Sequence, residues 1–250
     1  MSAADAVTVE AGAPARGWVL PLIAAALVAG MLGYLQTAEL DSIEARLLAT
    51  DEILARTVEH VRLVAVSTIA VIAIAVPLGV LLTRRRARLL APPVLGLANA
   101  GQAIPSIGVL VLLAILFDVG FTMAVIALVA YAVLPVLRNT MVGLRQVDRS
   151  VIDAGRGMGM SPLQVLMKIE LPLAVPVMIA GIRVALILNV GVATLATYTN
   201  AGGLGSLIES GIVFNRMPVL MTGSVLTIAL ALMVDWLAGL AERFLRPRGL

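Results

Sequence analysis

A chain of 250 residues with 60% apolar and only 13% charged side chains departs far from the roughly 45–50% apolar and about 25% charged make-up of soluble domains, so lipid is its solvent. A spanning helix needs about 20 residues, which leaves room for six crossings and short loops and excludes a further folded soluble domain. Cysteine is absent, which excludes disulfides and thiolate chemistry, and all but Lys168 of the 18 basic residues are arginines dispersed between apolar runs, which excludes the gathered basic face of a nucleic-acid-binding domain.

Residues 1 to 17 lack a basic start and a small-residue cleavage site, and read as a cytoplasmic tail rather than a removed signal peptide. Apolar runs then fall at about 18–36, 58–82, 89–117, 120–140, 171–199 and 218–240, each long enough to cross. None shows strict alternation, and in hydrocarbon the backbone groups of such runs are satisfied by helices. The fold class expected is therefore all-α integral membrane, with about six transmembrane helices. Residues 37 to 57 carry Glu39, Asp41, Glu44, Asp51 and Glu52 and space Ile43, Leu47, Ile53 and Leu54 helically, which predicts an external amphipathic linker lying in the interface. His60 stands at the mouth of the second run and is expected at headgroup level rather than as a ligand.

Arginine bias sets the orientation. Arg16, Arg84, Arg85, Arg86, Arg88, Arg138, Arg145, Arg149, Arg156, Lys168, Arg243, Arg246 and Arg248 fall on one side, against Arg46, Arg56 and Arg216 on the other. The richer side is read as cytoplasmic and holds both termini, in agreement with an even number of crossings.

The longest connection on that side, about 141 to 170, carries its own helix signals. Asp148 is expected to cap a short helix whose small residues Ala154 and Gly155 let another protein approach, and Gly159 to end it. Ser161 is expected to cap a second helix with Pro162 in its first position, both helices lying outside the bilayer before Leu171-Pro172 opens the fifth span.

Asp153-Ala154-Gly155, then Gly159-Met160 after three residues, then Ile169 and Leu171-Pro172 resemble the EAA loop of ABC importer permeases, with Asp in place of Glu and Gly in place of the second Ala. The glycine lowers helix propensity by roughly 1 kcal/mol relative to alanine. Further stretches are similar to the glycine betaine, carnitine and choline permeases of osmoprotectant importers: Thr57-Val-Glu-His60-Val-Arg-Leu-Val64, Val76-Pro-Leu-Gly79, Ala98-Asn-Ala-Gly-Gln102-Ala-Ile-Pro105-Ser106, Leu134-Pro-Val-Leu-Arg138-Asn139-Thr140, Gly181-Ile-Arg183 and Ala201-Gly-Gly-Leu-Gly205.

The resemblance implies a type I ABC importer (MetI-like) permease fold with a core of five helices. The divisions expected are residues 1–56 (tail, first helix and external linker), 57–245 (permease core) and 246–250 (cytoplasmic tail). It also implies residence in the bacterial inner membrane, a second permease copy or paralogue, an extracytoplasmic solute-binding protein, and two ATPase subunits. The coupling residues it implies are Asp153, Ala154, Gly155, Gly159, Met160, Ile169, Leu171 and Pro172. This chain itself has no Gly-x-x-x-x-Gly-Lys-Ser/Thr loop, so ATP and Mg are expected on the partner and no cofactor here. Methionine or another amino acid is the rival cargo. An ion-coupled secondary transporter would need inverted repeats and a midplane ionisable cluster, and neither is visible.

Asn99, Gln102, Pro105 and Ser106 interrupt the third run with polar or helix-breaking residues, which suits either a pathway or a packed kink. Arg183 lies about twelve residues into the fifth run, where an unpaired charge is costly, and is expected to have a partner and a structural or gating role. Asn189, Thr194, Thr197 and Tyr198 are expected along the outer half of the route, and Gly202, Gly203 and Gly205 in a re-entrant turn or gate. With 4% aromatic residues the chain offers no evident cage for a quaternary ammonium. Trp18 and Trp236, near opposite span ends, read as belt anchors.

Overall fold

With no water in hydrocarbon to take up backbone groups, residues 18–245, those that the computed structural model describes, form helices joined by short turns, with no strand among them. The long helices are α1 (Val19–Thr37), α3 (Thr50–Thr83), α6 (Phe121–Gln146), α9 (Leu171–Ala193) and α11 (Met217–Leu245). Between them lie α2 (Ser42–Leu47), α4 (Ala91–Ala103), α5 (Ser106–Leu116), α7 (Arg149–Gly157), α8 (Pro162–Val165) and α10 (Gly205–Val213). Five helices are long and apolar enough to cross, and α4 with α5, bent by 94°, makes a sixth if counted as one broken span. Arg16, Arg246, Arg248 and both expected tails lie outside the described residues.

Lipid tails are as apolar as leucine, so helices in a bilayer associate through close packing rather than through apolar burial alone. Helix α6 is the centre, packed along α3 on one side and α9 on the other. Gly181 of α9 rests on Pro135 and Asn139 of α6, where a Cβ would come within 2.8 Å of the Pro135 carbonyl oxygen. One buried cluster joins Leu63 and Val64 of α3, Leu110 of α5, Leu128 of α6 and Val190 of α9; a second joins Val71, Ala75 and Leu82 to Val136, Leu137 and Ala185. Helix α1 packs on α11, outside this core.

Several boundaries differ from the sequence reading. The linker after α1 is helical on its own only at α2, and Thr50 already begins α3, because Glu52 and Glu59 both pair with Arg56 along its surface and carry the helix past its apolar stretch. The fifth span is likewise longer than its apolar run: Pro162 to Thr199 is one continuous helical rod, with a π segment at Leu166–Glu170 and a 3-10 turn at Thr194–Thr199, so the second short helix is not separate from it. His60 is wholly buried against neighbouring helices, its Nε2 3.1 Å from the Val190 carbonyl, rather than facing outward from its helix. Trp18 and Trp236 share one level, ring centroids 5.4 Å apart, and tie α1 to α11.

Candidate functional site

The connection from α6 to α9 is built by local hydrogen bonds that its residues dictate. Asp148 accepts from the Ser150 N–H at 2.9 Å and so caps α7; that bond holds its carboxylate below the usual range. Helix α7 ends in a Schellman motif: the Gly159 N–H donates to the Arg156 carbonyl (2.9 Å) and the Met160 N–H to the Gly155 carbonyl (3.1 Å). Gly159 takes φ +81°, which an L side chain adopts only under strain. Ser161 and Gln164 then form a capping box, with Pro162 first in α8, as the sequence requires.

Gly155 corrects one expectation. Rather than offering a small surface to another protein, it is buried within the loop, where a Cβ would lie 2.5 Å from Cδ1 of Ile169 and 3.5 Å from Sδ of Met160. The departure from alanine thus lets α7 close onto α8 and the start of α9. Ala154 is exposed, as are Val151, Met158, Leu163 and Met167 at 42 to 71%. Val151, Ala154 and Met158 make an apolar crest along α7, outside the bundle, and Asp153, away from that crest, is paired loosely with Arg156 at 3.4 Å. Ile169, Leu171 and Pro172 are half-buried at the root of the loop.

That root is tied to the bundle by an ion pair the sequence did not announce. Arg84, at the end of α3, donates from Nη1 to Oε1 of Glu170 at 3.2 Å and from Nη2 to Oε2. Glu170 is almost wholly buried, so the pair fixes the π segment to α3. A carboxylate just before Leu171-Pro172 was the available signal.

Of the residues expected along a pathway, Pro105 lies where the broken span turns, and Gln102 donates to the Tyr131 carbonyl on α6 at 2.9 Å. Asn99 is exposed and Ser106 half-buried, and α5 packs against the Thr194–Thr199 turn, with Tyr198 exposed. Thr197 donates to Glu209 of α10 at 2.7 Å. Asn189 is wholly buried and donates to Thr68 at 3.1 Å, inside the α3–α9 contact rather than along a route. Arg183 has the partner its burial demands, Asp235 of α11, with Nη2 2.7 Å from Oδ2. Its guanidinium is hydrogen-bonded to Asp235 and to none of the α4 residues among the described residues.

The glycines at 202–205 close the end opposite the arginine-rich one. Gly202 and Gly203 take φ +77° and +89°, and the Gly203 N–H donates to Glu59 of α3 at 2.9 Å. Gly205 abuts Thr194 so tightly that a Cβ would lie 1.9 Å from its carbonyl oxygen. The chain continues from Gly205 as helix α10, folded against α11. Arg216 pairs with Asp41 at 2.8 Å and anchors the linker there. Neither Glu59 nor Asp41 was singled out for this from the sequence, because their partners are far away in the chain.

Comparison with known proteins fits this architecture. The chain is 39% identical over 199 residues to the choline transport system permease protein OpuBB of Bacillus subtilis, covering 80% of this chain and 91% of that one. It is 39% identical over 199 residues to the osmoprotectant import permease protein OsmW of Salmonella typhimurium, covering 78% and 92%. Among solved structures, an inward-facing form of the MetNI methionine ABC transporter superposes with a TM-score of 0.70 at 25% identity, over 78% of this chain and 96% of that chain. The family of binding-protein-dependent transport system inner membrane components matches residues 75–247. With that match spanning most of its length and with helices that cross the bilayer several times, the chain belongs to the inner-membrane permease components of binding-protein-dependent ABC transport systems.

Proposed function

We propose that this chain is the permease subunit of an ATP-driven importer for osmoprotectants such as glycine betaine, carnitine or choline. The observation that carries the cargo is its 37–39% identity, over about four-fifths of its length, to permeases named for choline, glycine betaine and carnitine. In this reading both termini and the α7 loop face the cytoplasm, where two ATPase subunits bind ATP and Mg and do the hydrolysis. Asp153, Ala154, Gly155, Gly159, Met160, Ile169, Leu171 and Pro172 form the coupling element. The exposed crest of Val151, Ala154 and Met158 supports this, since apolar surface outside the bundle needs a cover.

ATP binding would draw two such loops together, one from this chain and one from a second copy or paralogue, and the rigid root at Arg84–Glu170 would pass that movement to α3 and α9. A binding protein on the other face would deliver the solute. Asn99, Gln102, Pro105 and Ser106 on the broken span, Thr194, and the turn at Gly202, Gly203 and Gly205 are the assigned route and gate. Arg183 serves assembly or gating, since its guanidinium is already engaged by Asp235. The low aromatic content supports weak holding by the permease, with selectivity in the binding protein.

Proteoliposomes holding the permease, its ATPase and its binding protein test this. ATP-dependent accumulation of labelled choline or glycine betaine, abolished by an ATPase-dead partner, is the expected result. Accumulation of methionine alone would overturn the cargo, and uptake that persists with the dead ATPase would overturn the class. The methionine arm matters because the 0.70 structural match is to a methionine transporter.

A further inference from the structure

At the arginine-rich end, a cavity of about 970 Å³ opens between the end of α3, the end of α6 and one face of α7. Its lining includes Arg85, Arg88, Arg145 and Arg149, and none of these has a carboxylate within 4 Å among the described residues. The two carboxylates in the lining are already engaged, Glu170 by Arg84 and Asp153 by Arg156. Four arginines that line one cavity without matching counter-charge repel one another, and an anion held there removes that repulsion.

We infer that this cavity holds the phosphate headgroup of an anionic phospholipid. The planar fork of arginine suits bidentate contact with phosphate oxygens, and pockets of this kind between membrane helices suit acidic headgroups. The lipid is favoured over an ATPase surface by the two faces of α7. Arg149, Ile152, Asp153 and Arg156, spaced by three and four residues, line the cavity, whereas Val151, Ala154 and Met158 lie on the opposite side of the helix. The apolar crest and the cationic cavity are therefore separate surfaces. Leu89 and Leu90, adjoining Arg88, are 89% and 56% exposed, and Leu81 just before the arginine run is 53% exposed. These put exposed apolar side chains next to the arginine run in sequence, as acyl chains beside a bound headgroup require. The bound headgroup would brace the α7 loop against the ends of α3 and α6.

The test is native mass spectrometry of the purified full chain, titrated with phosphatidylglycerol and with phosphatidylcholine of the same acyl composition. Phosphatidylglycerol is expected to bind at least about thirtyfold tighter, from the worth of two surface arginines toward an anionic lipid. Arg145→Gln with Arg149→Gln should weaken it by roughly thirtyfold while leaving phosphatidylcholine unchanged. Arg243→Gln, at the same end but outside the cavity, should change neither. If the glutamine pair does not fold, Arg145→Lys with Arg149→Lys keeps the charge and should still bind phosphatidylglycerol more weakly than the native chain. Equal binding of the two lipids, an equal loss in Arg243→Gln, or no loss in either pair would overturn the proposal. So would displacement of the lipid by glycerol phosphate at matching concentration, which marks a site for free phosphate esters, or displacement by the ATPase, which assigns the cavity to that interface.

Discussion

Replacing Arg183 with leucine is expected to lower the thermal unfolding midpoint of the purified permease clearly and to reduce the yield of inserted protein. The guanidinium makes two hydrogen bonds to Asp235, and the aspartate side chain is only 17% exposed. Removing the arginine leaves that carboxylate unpaired between α9 and α11, at a cost of about 3 kcal/mol on the scale for an acidic residue within a bilayer. Removing both charges is cheaper than removing one, because no ion is left stranded. Arg183→Leu combined with Asp235→Leu should therefore recover most of the lost midpoint. The comparison is a detergent-phase unfolding curve for the native chain, the single variant and the double variant. An unchanged midpoint in the single variant would show that the pair contributes nothing to holding α9 on α11.

Gly159→Val is expected to cut ATP-dependent uptake by tenfold or more while the protein still inserts and its ATPase still turns over. Nothing lies within 4 Å of where the new Cβ would sit, so that carbon meets no neighbour. The effect comes from the backbone: at φ +81° an L residue costs roughly 1–2 kcal/mol, and a β-branched one more. The chain would escape by reshaping the turn, which breaks the Gly159 and Met160 hydrogen bonds and moves α7 relative to α8. Asparagine visits this region readily, so Gly159→Asn should keep most of the uptake. Parallel measurement of ATP hydrolysis and solute uptake separates uncoupling from simple loss of protein. If valine transports as well as asparagine, the geometry of this turn does not matter to coupling.

What could be read from the sequence was local. The caps at Asp148, Gly159 and Ser161 depend on residues within five positions of one another, and the structure places each as their chemistry requires. The interruption at Pro105 was visible for the same reason, although the 94° bend it makes was not. Contacts between distant residues were not legible. Arg183 demanded a partner, but Asp235 lies 52 residues away, Glu170 is 86 residues from Arg84, and Glu59 is 144 from Gly203. Nothing in one sequence ranks such pairs.

Helix ends were misread where charges flank an apolar run. Hydropathy falls at Asp51, Glu52 and Arg56, yet the ion pairs among Glu52, Arg56 and Glu59 support helix there, and α3 begins at Thr50. Lys168 and Glu170 likewise lower the hydropathy before α9, yet the helix runs through them as a π segment, with Glu170 held by Arg84 of α3. Gly155 was misread because its small size beside Ala154 suggested a surface for close approach, whereas only the packed loop reveals Ile169 above it.

The chain contains no cysteine, so a single introduced thiol can be placed on the α7 crest and labelled alone. Met158→Cys, 71% exposed in the native residue, carrying a photoactivatable crosslinker in the assembled transporter, is the most direct probe of whether this loop meets the ATPase. A crosslink from Cys introduced at 158 to the ATPase, with none from Ile212→Cys on α10 at the opposite end, is the predicted result. A crosslink from the α10 position to the ATPase, or none from position 158, would contradict the account.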